Sequence, residues 1–351
     1  MDYRAAMRPR SGIGRYVAAL AAELPHLGVD LRLFGVFRRG NRPGVRVAPP
    51  GSRLVGWPVP TRAVDLLGRV GLLPADRILG GCDLYHHTDF QLAEVSARTP
   101  QVMTLHDLAF LRHPEFYPEA TARALALVVR EAARRCAAFL VPSEATACDV
   151  EELLGIKRRR IYLAPLGVDR GFGGGAPGPP RNRRYLLAIG TLEPRKNHQR
   201  VIRALPGGVD LLVAGGRGWL DEETLALAAA RPEVKLLGRV GEEELRHLVA
   251  GADGVVYPSL FEGFGLPVLE AMAAGRPVLT SDREPMRSIA GGAALLVDPE
   301  DEGALREGMG RLLDDEGLRS ELMSRGPERA REFTWRACAE ASLRAYEAVA
   351  G

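Results

Sequence analysis

Cysteine is scarce in this sequence. The 351 residues include four cysteines, none of them in a Cys-x-x-Cys pair: Cys82, Cys136, Cys148 and Cys338. Zinc sites and disulfide frameworks need cysteines at short, regular spacings. We therefore predict reduced thiols in the core of a cytosolic protein, with neither a disulfide framework nor a zinc site.

The chain also lacks a strong net charge and a long apolar run. Its formal charge is +3, which gives no reason to expect a nucleic-acid partner. No apolar stretch approaches the ~18–20 residues of a membrane span, and the first residues have no apolar region typical of a signal peptide. We expect a cytoplasmic protein. Arginines on a helix predicted over Thr121–Phe139 leave peripheral binding to the inner face of the plasma membrane open, beside an ordinary solvated face.

What the chain does contain is a regular alternation of apolar strands and amphipathic helices, with length enough for two domains. Such alternation predicts parallel sheets covered by helices. A Gly- and Pro-rich stretch interrupts it once. We predict a first α/β domain over residues 1–170, a linker over 171–182, a second α/β domain over 183–332 and a terminal helix over 333–351.

The first strand of this alternation is short. Ser11–Tyr16, with the sequence SGIGRY, is a Gly-rich turn that opens a helix predicted over Tyr16–Leu27. Such a turn normally follows a buried strand, and few residues precede it here. We expect that the coding start lies upstream or that Met1–Arg4 is a strand remnant. Upstream in-frame codons for a short apolar strand would test the first possibility.

Glycine loops follow several predicted strands of the second half. Ser259–Asp282 contains the loop EGFGLP, with Glu262 in the loop and Glu270 about two turns into the following helix. Gly190–Asn197 (GTLEPRKN) and Gly238–Val240 follow other strands. Because parallel strands end at one sheet edge, these loops should converge there, where helix N-termini and the adjacent cations of GTLEPRKN suit a diphosphate.

Together these motifs resemble the retaining glycosyltransferases of family 4 over nearly the whole chain. The matching segments are SGIGRY, TLHDLAFLRHPEFYP, VPSEATACDVEELLG, YLAPLGVD, IGTLEPRKN, VAGGRGW, FEGFGLPVLEAMAAGRPVLTSD, AGGAALLVDP and FTW. The resemblance implies a GT-B fold, in which two Rossmann-like domains with parallel sheets face a central cleft. It implies that the donor lies on the C-terminal domain, that the acceptor lies on the N-terminal one, and that the last helix returns to the N-terminal domain. It also implies that the enzyme needs neither a metal ion nor another cofactor.

The resemblance assigns roles to individual residues. The catalytic ones are His106, Arg195, Lys196 and Glu262. The donor-binding ones are Gly12, Gly14, Gly190, Gly238, Val240, Gly263, Phe264, Gly265, Leu266 and Glu270. Within this set, Glu270 should hold the ribose hydroxyls, Glu262 the donor sugar and Val240 the base, and His106 should reach the sugar from the other domain.

The implied reaction transfers a hexose, with retention, from a nucleotide-diphospho-sugar to a hydroxyl of a glycan or lipid-linked acceptor. The pairing of GTLEPRKN with HDL favours a mannose- or rhamnose-like sugar. Three alternatives stay open: an enzyme like the UDP-N-acetylglucosamine 2-epimerases, a phosphorylase with lysine-bound pyridoxal phosphate, and a degenerate, non-catalytic scaffold. Departures from the family pattern are Thr191, where relatives often carry a basic residue, and Met286–Ser288, which makes the following helix start hard to predict.

Overall fold

The computed structural model describes residues 1–7, 12–36, 48–57, 73–174 and 183–350. The chain folds into two compact units. Unit 1 comprises Met1–Arg112, Arg123–Gly167 and Trp335–Gly351. Unit 2 comprises His113–Ala122 and Val168–Thr334.

The strands of unit 1 pair in parallel in two groups. The first group is β1 (Leu31–Val36) and β2 (Ser52–Trp57), and the second is β3 (Tyr85–His87), β4 (Gln101–Thr104), β5 (Ala138–Val141) and β6 (Ile161–Leu163). Strand β2 was not predicted from the sequence. The helix predicted over Thr121–Phe139 ends earlier than expected, because the apolar residues of β5 are buried in the sheet.

Residues 1–3 lie between the two groups of strands. The Asp2 amide donates to the His86 carbonyl of β3 at 2.9 Å, and the Phe34 amide of β1 donates to the Met1 carbonyl at 2.8 Å. The Asp2 carboxylate is buried and paired with Arg4. These few residues thus take the place of a strand in the sheet. The upstream start stays a prediction.

Helices cover the strands of unit 1. They are α1 (Gly12–Glu23), α2 (Ala75–Ile78), α3 (Ala109–Arg112), α4 (Glu119–Arg135, which begins in unit 2), α5 (Glu144–Leu154) and α13 (Trp335–Ala350), the last of the chain. Ser143 caps the N-terminus of α5, since its hydroxyl accepts from the Thr146 amide. Helix α1 continues as a 3-10 turn over Leu24–Leu27, and α13 packs against α1 and β5. A helix predicted over 65–73 lies almost wholly outside the described residues.

The cysteine prediction needs one correction. Cys136 and Cys338 are buried and Cys82 is half-buried, but Cys148 is exposed on α5. All four are free thiols. The α5 face that carries Cys148 points to solvent, so this thiol has no place in the core.

Unit 2 contains a six-stranded parallel sheet in the order β12-β11-β10-β7-β8-β9. The strands are β7 (Tyr185–Ile189), β8 (Asp210–Ala214), β9 (Val234–Gly238), β10 (Gly254–Tyr257), β11 (Val278–Ser281) and β12 (Leu295–Val297). The helices are α6 (His198–Ala204), α7 (Glu222–Ala229), α8 (Glu242–Gly251), α9 (Leu266–Ala273), α10 (Met286–Ala290), α11 (Glu302–Asp314) and α12 (Glu316–Ala330).

The strand order reverses direction at the centre of this sheet. From β7 the chain moves outward through β8 to β9, and from β10 it moves outward on the other side. A ligand of an open parallel sheet binds at such a switch point, outside the carboxyl ends of the two central strands. We therefore expect a ligand site in the loops that follow β7 and β10.

The predicted linker is anchored at its start. Phe172 lies in a 3-10 turn, is 1% exposed, and packs beneath the Arg246 guanidinium of α8. Residues 175–182 lie outside the described chain.

In the part of the chain that the structure describes, no helix has the length and apolar character needed to cross a membrane.

Candidate functional site

A buried cluster of charges lies at the switch point of unit 2. Lys196 ends the loop after β7, and Glu262 lies in the loop after β10, 66 residues later. The Lys196 Nζ atom donates to Glu262 Oε1 at 2.5 Å. Arg195 donates from Nη1 to Glu262 Oε2 at 3.0 Å, so both carboxylate oxygens face cations. The side chains of Glu262 and Lys196 are 9% and 10% exposed.

Tyr257, the last residue of β10, completes this cluster and was missed in the sequence. Its hydroxyl donates to Glu262 Oε1 at 2.8 Å and accepts from Lys196 Nζ at 2.6 Å. In the sequence it looks like an ordinary apolar strand residue. The only hint is that it is the last strand residue before the glutamate loop.

The charges of the cluster are mutually stabilised. Burial alone would raise the pKa of Glu262, but Lys196 and Arg195 outweigh it and lower that pKa to about 2. Burial, followed by the charge of Arg195, lowers the pKa of Lys196. Burial, followed by the charge of Glu262, raises the pKa of Tyr257 well above 10. At neutral pH the site therefore holds a carboxylate, two cations and a neutral phenol.

Glycines around Lys196 let the backbones of neighbouring loops pack closely against each other. Gly190, at the end of β7, has φ 143°, and the aliphatic part of Lys196 packs over it. A Cβ on Gly215 would lie 1.7 Å from the Gly190 carbonyl oxygen, which excludes any side chain there. The loops after β7 and β8 are thus in backbone contact, reinforced by a bridge between Leu192 and Arg217.

Asn197 holds the same loop from the other side. It has a left-handed backbone with φ 61°, and its Nδ2 donates to the carbonyls of Pro258 at 3.0 Å and Pro299 at 2.7 Å. One buried amide therefore ties the loop after β7 to those after β10 and β12. The sequence analysis gave Asn197 no role, although asparagine is one of the residues that tolerate this backbone region.

The predicted glycine loop leads into α9 as expected. Leu266 is the first residue of α9, and Gly265 before it has φ 128°, where a Cβ would lie 2.5 Å from Met286 Cε. Phe264 is buried with its ring edge-to-face against Phe333, at 5.9 Å between centroids. Gly263 lies in the bend between Glu262 and α9.

The other predicted residues of unit 2 lie on neighbouring elements. Glu270 is 1% exposed within α9, which packs on α12. Gly238 ends β9 with φ 67°, and Val240 is half-buried just beyond it. Arg217, which follows β8, pairs with Asp221 and so has a local scaffolding contact.

Glu193, in the loop after β7, lies inside the site. It is buried and pairs with Arg195 at 2.8 Å. Arg195 thereby contacts two carboxylates, those of Glu193 and Glu262. No basic side chain stands at Thr191, so Arg195 supplies the second cation of this loop.

Three predicted residues belong to unit 1. His106 follows β4, and its Nε2 lies 3.0 Å from the Thr88 carbonyl, to which it donates as the neutral ring. Burial lowers the pKa of His106. Gly12 and Gly14 form the first turn of α1, whose Tyr16 packs edge-on against His106 at 5.0 Å between centroids and bonds Thr104 at 2.8 Å. Tyr16 therefore connects the glycine turn to the histidine.

The chain is similar in fold to several solved structures. The chain superimposes on sucrose-phosphate synthase from Thermosynechococcus elongatus with TM-score 0.78 and 20% identity, over 99% of this chain and 97% of that one. HepE of Anabaena in complex with UDP-glucose aligns with TM-score 0.73 and 17% identity, over 97% and 96%. WaaG, a glycosyltransferase involved in lipopolysaccharide biosynthesis, aligns with TM-score 0.71 and 17% identity, over 100% and 98%. The fold is that of the GT-B glycosyltransferases.

Sequence comparisons then give the family. The model for Glycosyltransferase Family 4 matches residues 10–172, and that for Glycosyl transferases group 1 matches residues 175–329. The O-antigen chain mannosyltransferase B of Escherichia coli is 31% identical over 283 residues, which is 75% of this chain and 74% of the relative. The D-inositol 3-phosphate glycosyltransferase of Nocardia farcinica is 27% identical over 96% and 85%. The chain belongs to the group 1 glycosyltransferases of family 4, as its motifs predicted.

Proposed function

We propose that this glycosyltransferase transfers a mannose- or rhamnose-like hexose, with retention, from a nucleotide-diphospho-sugar to a hydroxyl of a glycan or lipid-linked acceptor. The observation that carries the proposal is the Lys196–Arg195–Glu262 cluster at the carboxyl ends of β7 and β10. The name of the Escherichia coli relative, a mannosyltransferase, supports the choice of sugar.

The two cations of the cluster suit a diphosphate leaving group. As the glycosidic bond breaks, negative charge grows on the phosphate oxygens, and preorganised cations stabilise it at little reorganisation cost. Lys196 and Arg195 are held in place by Glu262, so they are oriented before the donor arrives. Helix α9, which begins directly after Gly265, adds the positive end of a helix dipole. We propose that this chemistry needs no metal ion and no other cofactor.

Donor binding then requires Lys196 and Arg195 to exchange Glu262 for the diphosphate. In the free protein Glu262 neutralises the cations, and the arriving diphosphate takes over that role. We propose that Glu262, released from part of this pairing, turns to the hydroxyls of the donor sugar. Glu270 would hold the ribose through charge-assisted hydrogen bonds, and Gly238 and Val240 would contact the base.

The residues of unit 1 complete the proposed chemistry. His106 is neutral and its Nε2–H is available to a donor-sugar hydroxyl once it leaves the Thr88 carbonyl. Gly12 and Gly14 carry no side chains that would block the approach of a ligand to the start of α1. No carboxylate is assigned as nucleophile, so we propose front-face attack, with the leaving phosphate oxygen taking the acceptor proton.

We also propose that the acceptor brings the enzyme to a membrane surface. Leu127 on α4 is 65% exposed, and Arg123 and Arg130 lie one turn to either side on the same face. An exposed leucine between arginines suits an anionic interface, where each basic residue contributes about 1 kcal/mol. Co-sedimentation with phosphatidylglycerol vesicles should fall in Leu127→Asp, and unchanged binding would exclude this face.

The direct test is calorimetric titration with GDP, UDP and dTDP, with EDTA present. We expect binding of a nucleoside diphosphate, weakened about tenfold or more in Glu270→Ala and in Lys196→Ala. Glu307→Ala, an exposed glutamate of α11, and Lys235→Ala on β9 are the matched controls and should bind as the parent does.

This titration, a product assay and a turnover assay separate the alternatives. A protein that binds none of the three diphosphates would be a scaffold, and our proposal would be wrong. Conversion of UDP-N-acetylglucosamine to a stable sugar product without any acceptor would instead identify an epimerase. Normal donor turnover in Lys196→Ala would refute the diphosphate role of this lysine.

A further inference from the structure

Tyr257 has a position that the proposed reaction does not yet explain. It is 4% exposed at the carboxyl end of β10, and its hydroxyl contacts both members of the central ion pair. The phenol has one proton to give, and that proton goes to Glu262. Its oxygen lone pair then accepts from Lys196. A single neutral group therefore bridges the carboxylate and the ammonium.

We propose that Tyr257 is a positioning residue that keeps the Lys196 ammonium in place, as a neutral acceptor, while Glu262 changes partners during donor binding. This role during donor binding rests on the proposed function. The contact itself exists in the free protein and can be tested there.

The surroundings of Lys196 make a neutral acceptor necessary. Arg195 lies next to it, and Arg195 together with burial disfavours the ammonium. His198 of α6 is buried, with its pKa lowered to about 4 by burial and then by the charge of Lys196, so it is neutral and offers no counter-charge. The acidic groups that face the site are Glu193, which pairs with Arg195, and Glu262.

If Glu262 turns toward the sugar, Lys196 keeps few partners of its own. Tyr257 Oη at 2.6 Å remains, because the phenol is fixed by its buried ring rather than by Glu262. The backbone of Tyr257 is fixed as well, since the Thr280 hydroxyl donates to its carbonyl at 2.9 Å. Removing only the hydroxyl should therefore leave the strand intact and withdraw the acceptor.

Because the chain contains few lysines, the pKa of Lys196 can be measured directly. Lys157, Lys196 and Lys235 are its lysines, and Lys157 and Lys235 are exposed. Lysine labelled with ¹³C at Cε gives resolved signals whose chemical shifts follow each ammonium through its titration. Lys196→Arg assigns the site signal, and the two exposed lysines serve as internal references.

The variant is Tyr257→Phe, and the matched control is Tyr185→Phe. Tyr185, at the start of β7, is also buried, and its hydroxyl donates to the Leu248 carbonyl at 2.7 Å. We expect the pKa of Lys196 to fall by about one unit in Tyr257→Phe, because an acceptor of the charged form is lost. It should stay unchanged in Tyr185→Phe, even if both variants melt at a lower temperature.

A Lys196 titration in Tyr257→Phe that coincides with the parent would overturn the proposal, as would an equal shift in Tyr185→Phe. If Tyr257→Phe does not fold, Lys196 is titrated in parent protein carrying 3-fluorotyrosine, whose hydroxyl is a weaker acceptor. The same downward shift supports the proposal, and no shift refutes it.

A second measurement connects the contact to donor binding. Calorimetric titration from pH 7 to pH 10, with whichever of GDP, UDP and dTDP the parent binds, should show affinity lost at lower pH in Tyr257→Phe than in the parent or in Tyr185→Phe. If Lys196 titrates at lower pH in Tyr257→Phe but the parent binds none of GDP, UDP and dTDP, the contact is confirmed, while its role in donor binding and the proposed function are refuted. Nucleotide binding with superimposable pH profiles would refute the positioning role alone.

Discussion

Replacing Glu262 by glutamine removes the negative charge that Lys196 and Arg195 share, while keeping the size of the side chain. The carboxylate is buried and accepts from Lys196, Arg195 and Tyr257. The amide of glutamine has only one acceptor oxygen, so the substitution leaves two nearly buried cations facing each other. We expect opposite effects on the stability of the free protein and on its affinity for nucleotide.

The size of the stability loss follows from the titration of Glu262. Its pKa lies at about 2 in the folded protein, against an ordinary value of 4.5. At 1.36 kcal/mol per pKa unit, the ionised form is favoured by about 3 kcal/mol in the folded state. Because the folded pKa is depressed, this contribution is fully present above pH 4.5 and is lost as the pH falls toward 2.

Urea denaturation at pH 7 measures the effect. Glu262→Gln should lower the free energy of unfolding by about 3 kcal/mol, and the gap should narrow as the pH falls below 4.5. Glu193→Gln is the matched control, since Glu193 is also buried and pairs with Arg195, whereas Glu262 pairs with both Arg195 and Lys196. A loss below about 0.5 kcal/mol in Glu262→Gln, or equal losses in both variants, would refute the reasoning.

The same variant should bind GDP about tenfold more tightly than the parent, because the phosphates no longer compete with a carboxylate for the two cations. Calorimetry at low nucleotide concentration measures this directly. Weaker GDP binding in Glu262→Gln would mean that the carboxylate orients the cations more than it competes for them.

Three further predictions concern the supports of the site. Gly215→Ala should cost more than about 3 kcal/mol of stability because its Cβ would overlap the Gly190 carbonyl, whereas Gly207→Ala, with open space around it, should change thermal unfolding little. Asn197→Ala should cost about 2 kcal/mol or more, since two carbonyls lose their donor, and Asn197→Gly should cost less because glycine accepts φ 61° without strain. His106→Ala should slow the release of GDP from GDP-mannose, measured in the presence of a lipid-linked acceptor, about a hundredfold. Its affinity for GDP should change less than about threefold. Equal losses of turnover and of GDP affinity would place His106 in nucleotide binding instead.

Much of the fold was predictable because local patterns determine it. Ser143 and Gly155 define the ends of α5, since a hydroxyl at the N-cap and a glycine with positive φ at the C-cap satisfy the helix termini. The apolar runs before each glycine loop predicted β7, β8, β9 and β10. Strand β2 was missed because its half-buried residues, among them Leu54 and Val55, show little alternation. The pairing of Asp2 with Phe34 and His86 depends on partners far along the chain.

The site was predicted in part for similar reasons. Glu262 and Lys196 are recognisable because each follows a buried strand in a glycine-containing loop. Asn197 and Tyr257 were not given roles, since nothing in their local sequence shows which carbonyls or charges they will meet. The position of Glu193 beside Arg195 likewise depends on how the loop folds.

The sequence by itself determined the alternation of strands and helices, the glycine turns and the set of charged residues at strand ends, because these depend on local backbone preference and apolar periodicity. Only the tertiary structure decided that β7 and β10 are neighbours at the centre of the sheet. That pairing brings Lys196 and Glu262 to 2.5 Å across 66 residues of chain. It also places the Tyr257 hydroxyl between them, because side-chain contacts across parallel strands follow from sheet order and not from sequence separation.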